Sequence, residues 1–224
     1  MTRRTNATVA GIAYLLYIAV AFPSMVLFDR ATKGEGIAAK LATMAQHSGD
    51  VRVAAVLGLL GCFCALVLAV TLYAITRDED PDIAMLGLTC RVAEGIIGAA
   101  STPATLALLA LATASGAAAA DAAATQAIGA LVLERVPLVA AIFFGVGSTL
   151  FAWLLRRGRM VPAWLADLGV FSSALVVVVL FLQVGGVLSD TIVQLSWIPV
   201  AIFELTLAGW FIVKGVAVRG REAQ

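Results

Sequence analysis

Long apolar runs dominate the chain, and polar residues gather in short clusters between them. Six runs reach the about 20 residues that a bilayer crossing needs: Thr8–Phe28, Val51–Thr76, Ala84–Thr113, Gln126–Leu155, Pro162–Val187 and Thr191–Lys214. At membrane depth no water satisfies backbone N–H and C=O groups, so each run predicts an α-helix. A membrane β-barrel would alternate apolar and polar positions, and these runs do not. The expected fold is therefore all-α, a polytopic transmembrane bundle of about six membrane-spanning helices. One stretch differs in period. Ile37, Leu41, Met44 and Ala45 recur at four-, seven- and eight-residue offsets, predicting a short amphipathic helix over Glu35–Ser48 that lies in the interface or caps the bundle. Alanines around Asp121, over Ala117–Ala124, read as a short outer helix or a lengthened span. Pro23, Pro103 and Pro199 fall inside runs and predict kinks.

Composition strengthens this picture. The 224 residues are 62% hydrophobic and 13% charged, with mean hydropathy +1.01. Soluble domains hold roughly 45–50% apolar and about 25% charged residues. One soluble core of this size has no room for so much apolar surface. Six spans use nearly all of the length, so residues 1–224 are expected to form one integral membrane domain. A formal net charge of +1 supplies no basic face for nucleic acid. Basic residues near the span ends set the orientation. Arg3, Arg4, Arg77, Arg156, Arg157, Arg159, Lys214, Arg219 and Arg221 share one side if both termini are cytoplasmic; Arg30, Lys33, Lys40, Arg52 and Arg135 take the other. The first run has the basic start and A-x-A triplet (Ala19-Val20-Ala21) of a secretory signal, but it stays apolar through Phe28 and reads as an uncleaved anchor.

Charges inside the runs stand out, because each costs about 2.5–3.5 kcal/mol at a helix centre on insertion scales. Arg91 and Glu94 are three residues apart, close enough to pair on one helix face. Glu204 sits among Ile202, Phe203, Leu205 and Leu207, with no partner in its own helix. At 1.5 Å of rise per residue, Glu94 lies roughly 15 Å past Ala84 and Glu204 roughly 15 Å before Lys214. The two acids then share a level near mid-membrane, with Arg91 a few ångströms away. The expected site is a buried Arg91–Glu94–Glu204 cluster, binding or structural. One arginine does not balance two carboxylates, so one acid binds a cation or a basic group, or holds a proton. Alternatively the trio only locks the third and sixth spans together. Asp167, about a turn into the fifth span, and Glu134 and Arg135, at the outer rim of the fourth, are secondary candidates.

Familiar catalytic and cofactor patterns are missing from the sequence. His47, the single histidine, lies in a polar loop, and Cys62, Cys64 and Cys90 lie in apolar runs, where cysteine acts as a small hydrophobe. Neither set makes a zinc, haem or redox motif, so no metal and no cofactor are expected. Gly145-Val146-Gly147-Ser148 is not a nucleophile elbow; small residues there point to close helix packing. No Walker loop or dinucleotide fingerprint occurs.

Several segments resemble one bacterial membrane family. Ala10-Gly11-Ile12-Ala13-Tyr14-Leu15-Leu16 looks like its opening helix, and Arg91-Val92-Ala93-Glu94 is similar to its arginine and glutamate three apart. Phe143-Phe144-Gly145, Leu154-Leu155, Gly158, Pro162, Trp164-Leu165 and Gly169 follow its fourth helix, turn and fifth helix. Glu204-Leu205 through Gly209-Trp210-Phe211-Ile212-Val213-Lys214-Gly215 looks like its last helix. The family is domain of unknown function 4386. The resemblance implies a multi-pass protein of the bacterial inner membrane and implies no activity. Arg156 and Arg157 make the turn more basic than the family pattern.

Three function classes remain. The favoured one is non-catalytic: a partner or regulatory subunit of another membrane protein. A carrier or channel for an ion or small molecule, using Glu94 or Glu204, is the alternative. An intramembrane enzyme acting on lipid comes last, because no nucleophile or metal signature accompanies the carboxylates.

Overall fold

The computed structural model describes residues 1–114, 121–133 and 138–217, with the side chain of Asp190 left aside. Every regular element among the described residues is helical: α1 (Arg3–Ala31), α2 (Gly36–Gln46), α3 (Ser48–Thr76), α4 (Pro81–Ala100), α5 (Thr102–Thr113), α6 (Ala122–Leu133), α7 (Leu138–Arg157), α8 (Ala163–Val184) and α9 (Asp190–Val213). Among the described residues six stretches are long and apolar enough to cross a bilayer: Arg3–Ala31, Ser48–Thr76, Pro81–Thr113, Ala122–Arg157, Ala163–Val184 and Thr191–Val213. They match the six apolar runs, each with ends a few residues different. Large apolar side chains point outward along them, with Phe63 65%, Phe171 74% and Val184 61% exposed. Water does not tolerate such a surface on this scale, whereas lipid is as apolar as the side chains themselves. The protein is a multi-pass membrane protein.

The prolines act differently from one another. Pro23 and Pro199 sit inside continuous helices. Pro103 lies at the start of α5, where its missing N–H belongs to a helix's unpaired first turn. The third span is therefore split at Ser101, whose hydroxyl donates to the Gly98 carbonyl at 2.7 Å.

Contacts divide the chain into two compact units. The first comprises Met1–Leu16, Phe63–Gly95 and Leu138–Gln224. Small residues bring its helices together, as van der Waals packing in lipid favours. A Cβ on Gly11 of α1 would sit 2.7 Å from the Ala208 carbonyl oxygen of α9. Gly87 of α4 faces the Phe151 ring of α7, Gly145 of α7 faces Val177 of α8, and Gly169 of α8 faces the Phe203 ring of α9. Ion pairs gather at one end of this unit: Arg3–Asp78 at 2.8 Å, Arg157–Asp80 at 3.0 Å and Arg156–Asp167 at 2.8 Å. Past α9, the Ala217 N–H donates to the Met160 carbonyl at 2.9 Å, which brings the chain's exit to that same end. Arg3, Arg77, Arg156, Arg157 and Arg159 thus sit at one end, as the orientation rule grouped them.

The second unit comprises Tyr17–Cys62 and Ile96–Pro137. The predicted amphipathic helix is present as α2. Its Leu41 and Met44 are buried against Ala31, Val51, Leu108 and Leu109, with Ile37 partly buried beside them. Gly36, at φ 77, makes the turn into α2, a backbone shape that suits glycine. Gly129 lets α6 approach, since a Cβ there would sit 2.8 Å from Ile37 Cγ2. His47 ends α2 and lies 3.5 Å from Asp50. Of the alanine-rich stretch, the described part begins at Asp121, whose carboxylate accepts from Ala123 N–H at 2.7 Å and starts α6.

Candidate functional site

In the first unit, α4 presents Ala84, Gly87, Arg91 and Glu94 along one buried face. Those positions recur at three- and four-residue spacing, so the two charges point where the two small residues open space. Arg91 is 0% exposed and Glu94 7%. Arg91 Nη1 lies 2.9 Å from Glu94 Oε2, a charge-assisted contact within one helix.

Helix α7 is shaped around that arginine. A Cβ on Gly147 would fall 2.9 Å from Arg91 Cγ and 3.1 Å from Cδ, so the arginine stem runs through the notch that the glycine leaves. The guanidinium carbon stands 4.6 Å from the centre of the Phe144 ring, three residues back on the same face. A cation over an aromatic face is attracted by the ring quadrupole, most strongly where water is excluded. Arg91 Nη1 also reaches the Ser148 hydroxyl at 3.5 Å, a long hydrogen bond. Phe144 is braced in turn by Trp197 of α9, with ring centres 5.5 Å apart.

Glu204 enters from α9, 5% exposed, within electrostatic reach of both Arg91 and Glu94. Its Oε1 has no hydrogen-bond partner among the described residues. Tyr14 of α1, 2% exposed, also feels Glu204, Arg91 and Glu94. Four helices therefore meet around one cation, two carboxyl groups and a phenol. Chemically, this is a desolvated charge cluster in which the acids outnumber the arginine.

The structure sorts the sequence candidates. Arg91 and Glu94 pair, and Glu204 lies within electrostatic reach of both. Asp167 does not join them: its side chain is 44% exposed and pairs with Arg156, 42% exposed, at the unit's end. Its position so near the start of α8 keeps it at the level of the basic turn. Glu134 and Arg135 lie outside the described residues. Tyr14, Phe144, Gly147 and Ser148 escaped notice as site residues. Only the small-residue stretch around Gly147 signalled a close approach there, and it did not say which residue approaches. Among the described residues no group of three or more His, Cys, Asp or Glu is placed to hold a metal ion.

No curated protein and no solved structure matches the chain. A family profile does, and it spans residues 9–215, the whole of the charge cluster included. The opening-helix, Arg-Val-Ala-Glu and closing-helix resemblances all fall within that match. The chain belongs to the family described as domain of unknown function, DUF4386.

Proposed function

We propose that this chain is a non-catalytic protein of the bacterial inner membrane, with both termini cytoplasmic, acting as a partner or regulatory subunit of another membrane protein. In this reading Arg91, Glu94 and Glu204 lock the fold. One observation carries it: Arg91 is packed as a core residue, wholly buried, its stem in the Gly147 notch and its head on Phe144. A guanidinium held on all sides by protein is a joint between helices, and polar contacts of this kind specify which helices meet. Solubilisation from the native membrane in gentle detergent tests the role. Co-purification with a second membrane protein in fixed ratio is expected; recovery of the chain alone contradicts it.

A second reading has its own support. The unpartnered Oε1 of Glu204, buried beside an already paired arginine, offers an acceptor for a proton or a small cation. A carrier built on it would show pH-dependent flux in liposomes, abolished by Glu204→Gln. Normal flux in that variant removes this reading.

A further inference from the structure

Helix α7 ends in a way that its sequence makes costly. The Met160 N–H donates to the Leu155 carbonyl at 3.0 Å and the Arg159 N–H to the Arg156 carbonyl at 3.2 Å. That pair of bonds is the Schellman closure of a helix C-terminus, whose left-handed position is normally glycine. Here it is Arg159, at φ 51, the one non-glycine residue with positive φ among those described. A Cβ in that conformation crowds the following carbonyl. Its neighbours pack closely: a Cβ on Gly158 would press on the side chains of Glu79 and Met160, and Met160 is 1% exposed.

The strained arginine borders a cavity of about 420 Å³ lined by Trp153, Arg156, Arg157, Arg159 and Asp167. Arg156 is matched by Asp167 and Arg157 by Asp80. Arg159 has no acidic partner among the described residues. Arg159 is thus the one arginine of the lining with no carboxylate at ion-pair distance among the described residues, although Glu79 packs against Gly158 beside it, and it stands where the backbone would rather have glycine. Trp153, 49% exposed, lines the cavity, the kind of aromatic residue found at lipid headgroup level. Three arginines line it, and guanidinium groups suit phosphate oxygens, which they bind in a two-pronged geometry.

We propose that Trp153, Arg156, Arg157 and Arg159 form a binding site for a phosphate group, carried by an anionic phospholipid or by a soluble phosphate compound. The site is separate from the buried cluster and does not rest on the function proposed above.

The test uses the full chain in zwitterionic detergent, with the thermal unfolding midpoint followed against added phosphatidylglycerol, phosphatidylcholine or inorganic phosphate. Phosphatidylglycerol is expected to raise the midpoint where phosphatidylcholine does not. Arg159→Gly relieves the backbone and removes only the lining arginine that has no ion-pair partner among the described residues. Its lipid-free midpoint should equal or exceed that of the unaltered protein, while its apparent affinity for phosphatidylglycerol falls about fivefold, the worth of one arginine at an anionic surface. Arg159→Lys, which retains the charge but not the two-pronged geometry, should lose less affinity than Arg159→Gly. Arg77→Gln, at the same end but outside the cavity, should leave it unchanged. Stabilisation by phosphatidylglycerol without any effect of inorganic phosphate assigns the site to lipid; an equal effect of inorganic phosphate assigns it to a soluble compound. Equal binding by the unaltered protein and Arg159→Gly, an equal loss in Arg77→Gln, or no preference for either phosphate source over phosphatidylcholine overturns the proposal.

Discussion

Replacing the two glutamates of the buried cluster separately and together measures how Arg91 is neutralised. Glu94→Gln keeps the shape of the residue that stands 2.9 Å from Arg91 Nη1 but removes its charge. Arg91 then still has Glu204 within reach, so the loss should be about 1 kcal/mol, the scale of polar contacts between membrane helices. Glu204→Gln alone leaves the Arg91–Glu94 pair intact and should cost about 1 kcal/mol or less. The double variant leaves a cation that is 0% exposed without either of these carboxylates, though still against the Ser148 hydroxyl and the Phe144 ring. Leaving a buried charge without its counter-charge costs about 3–5 kcal/mol. The two changes should therefore be non-additive by about 2 kcal/mol, well above the ~0.5 kcal/mol scatter of independent sites. Adding Arg91→Met to the double variant should recover most of the loss, because an apolar replacement removes the stranded charge. The assay is equilibrium unfolding in mixed micelles at neutral pH, with helix content as the signal. Additive single effects would refute the reasoning, since Glu204 would then not serve as a reserve partner for Arg91.

Two further outcomes follow from the packing. Gly147→Ala puts a methyl 2.9 Å from Arg91 Cγ and 3.2 Å from Cys90 Cβ, and should destabilise by about 1–3 kcal/mol in the same assay; unchanged stability would mean that the notch is not filled. Asp167→Asn breaks a pair whose members are 42% and 44% exposed, so its cost should stay below about 1 kcal/mol and shrink further with added salt.

The legibility of the site differed from residue to residue. Arg91 and Glu94 could be read directly, because a charge in hydrocarbon is conspicuous and a three-residue spacing on a helix brings two side chains together. Glu204 could be placed at the right depth by counting residues, though its direction could not. Asp167 looked like a candidate by the same reasoning and proved to belong to the exposed ion pairs at the unit's end. Phe144, Gly147, Ser148 and Tyr14 could not be singled out. They sit in helices that are apolar on every side, so no contrast between faces marks the one that turns inward. Phe171 on α8 is as hydrophobic as Phe144 on α7, yet it is 74% exposed and Phe144 only 4%.

The amino-acid order alone determined that the chain crosses a membrane, that its spans are helical, and where they begin and end within a few residues. Those properties follow from a solvent that refuses unpaired backbone and charge, and that refusal acts on each segment separately. It also marked a short helix over Glu35–Ser48 with one apolar side, because Ile37, Leu41, Met44 and Ala45 recur at helical spacing among polar residues; the structure places it at Gly36–Gln46. Only the tertiary structure decided which helix faces meet, that Gly147 and Phe144 cradle Arg91, and that Glu204 is buried within electrostatic reach of the pair. Lipid and protein interior are nearly equal as surroundings for an apolar side chain, so the choice between them rests on shape and on a few polar contacts among residues far apart in the chain.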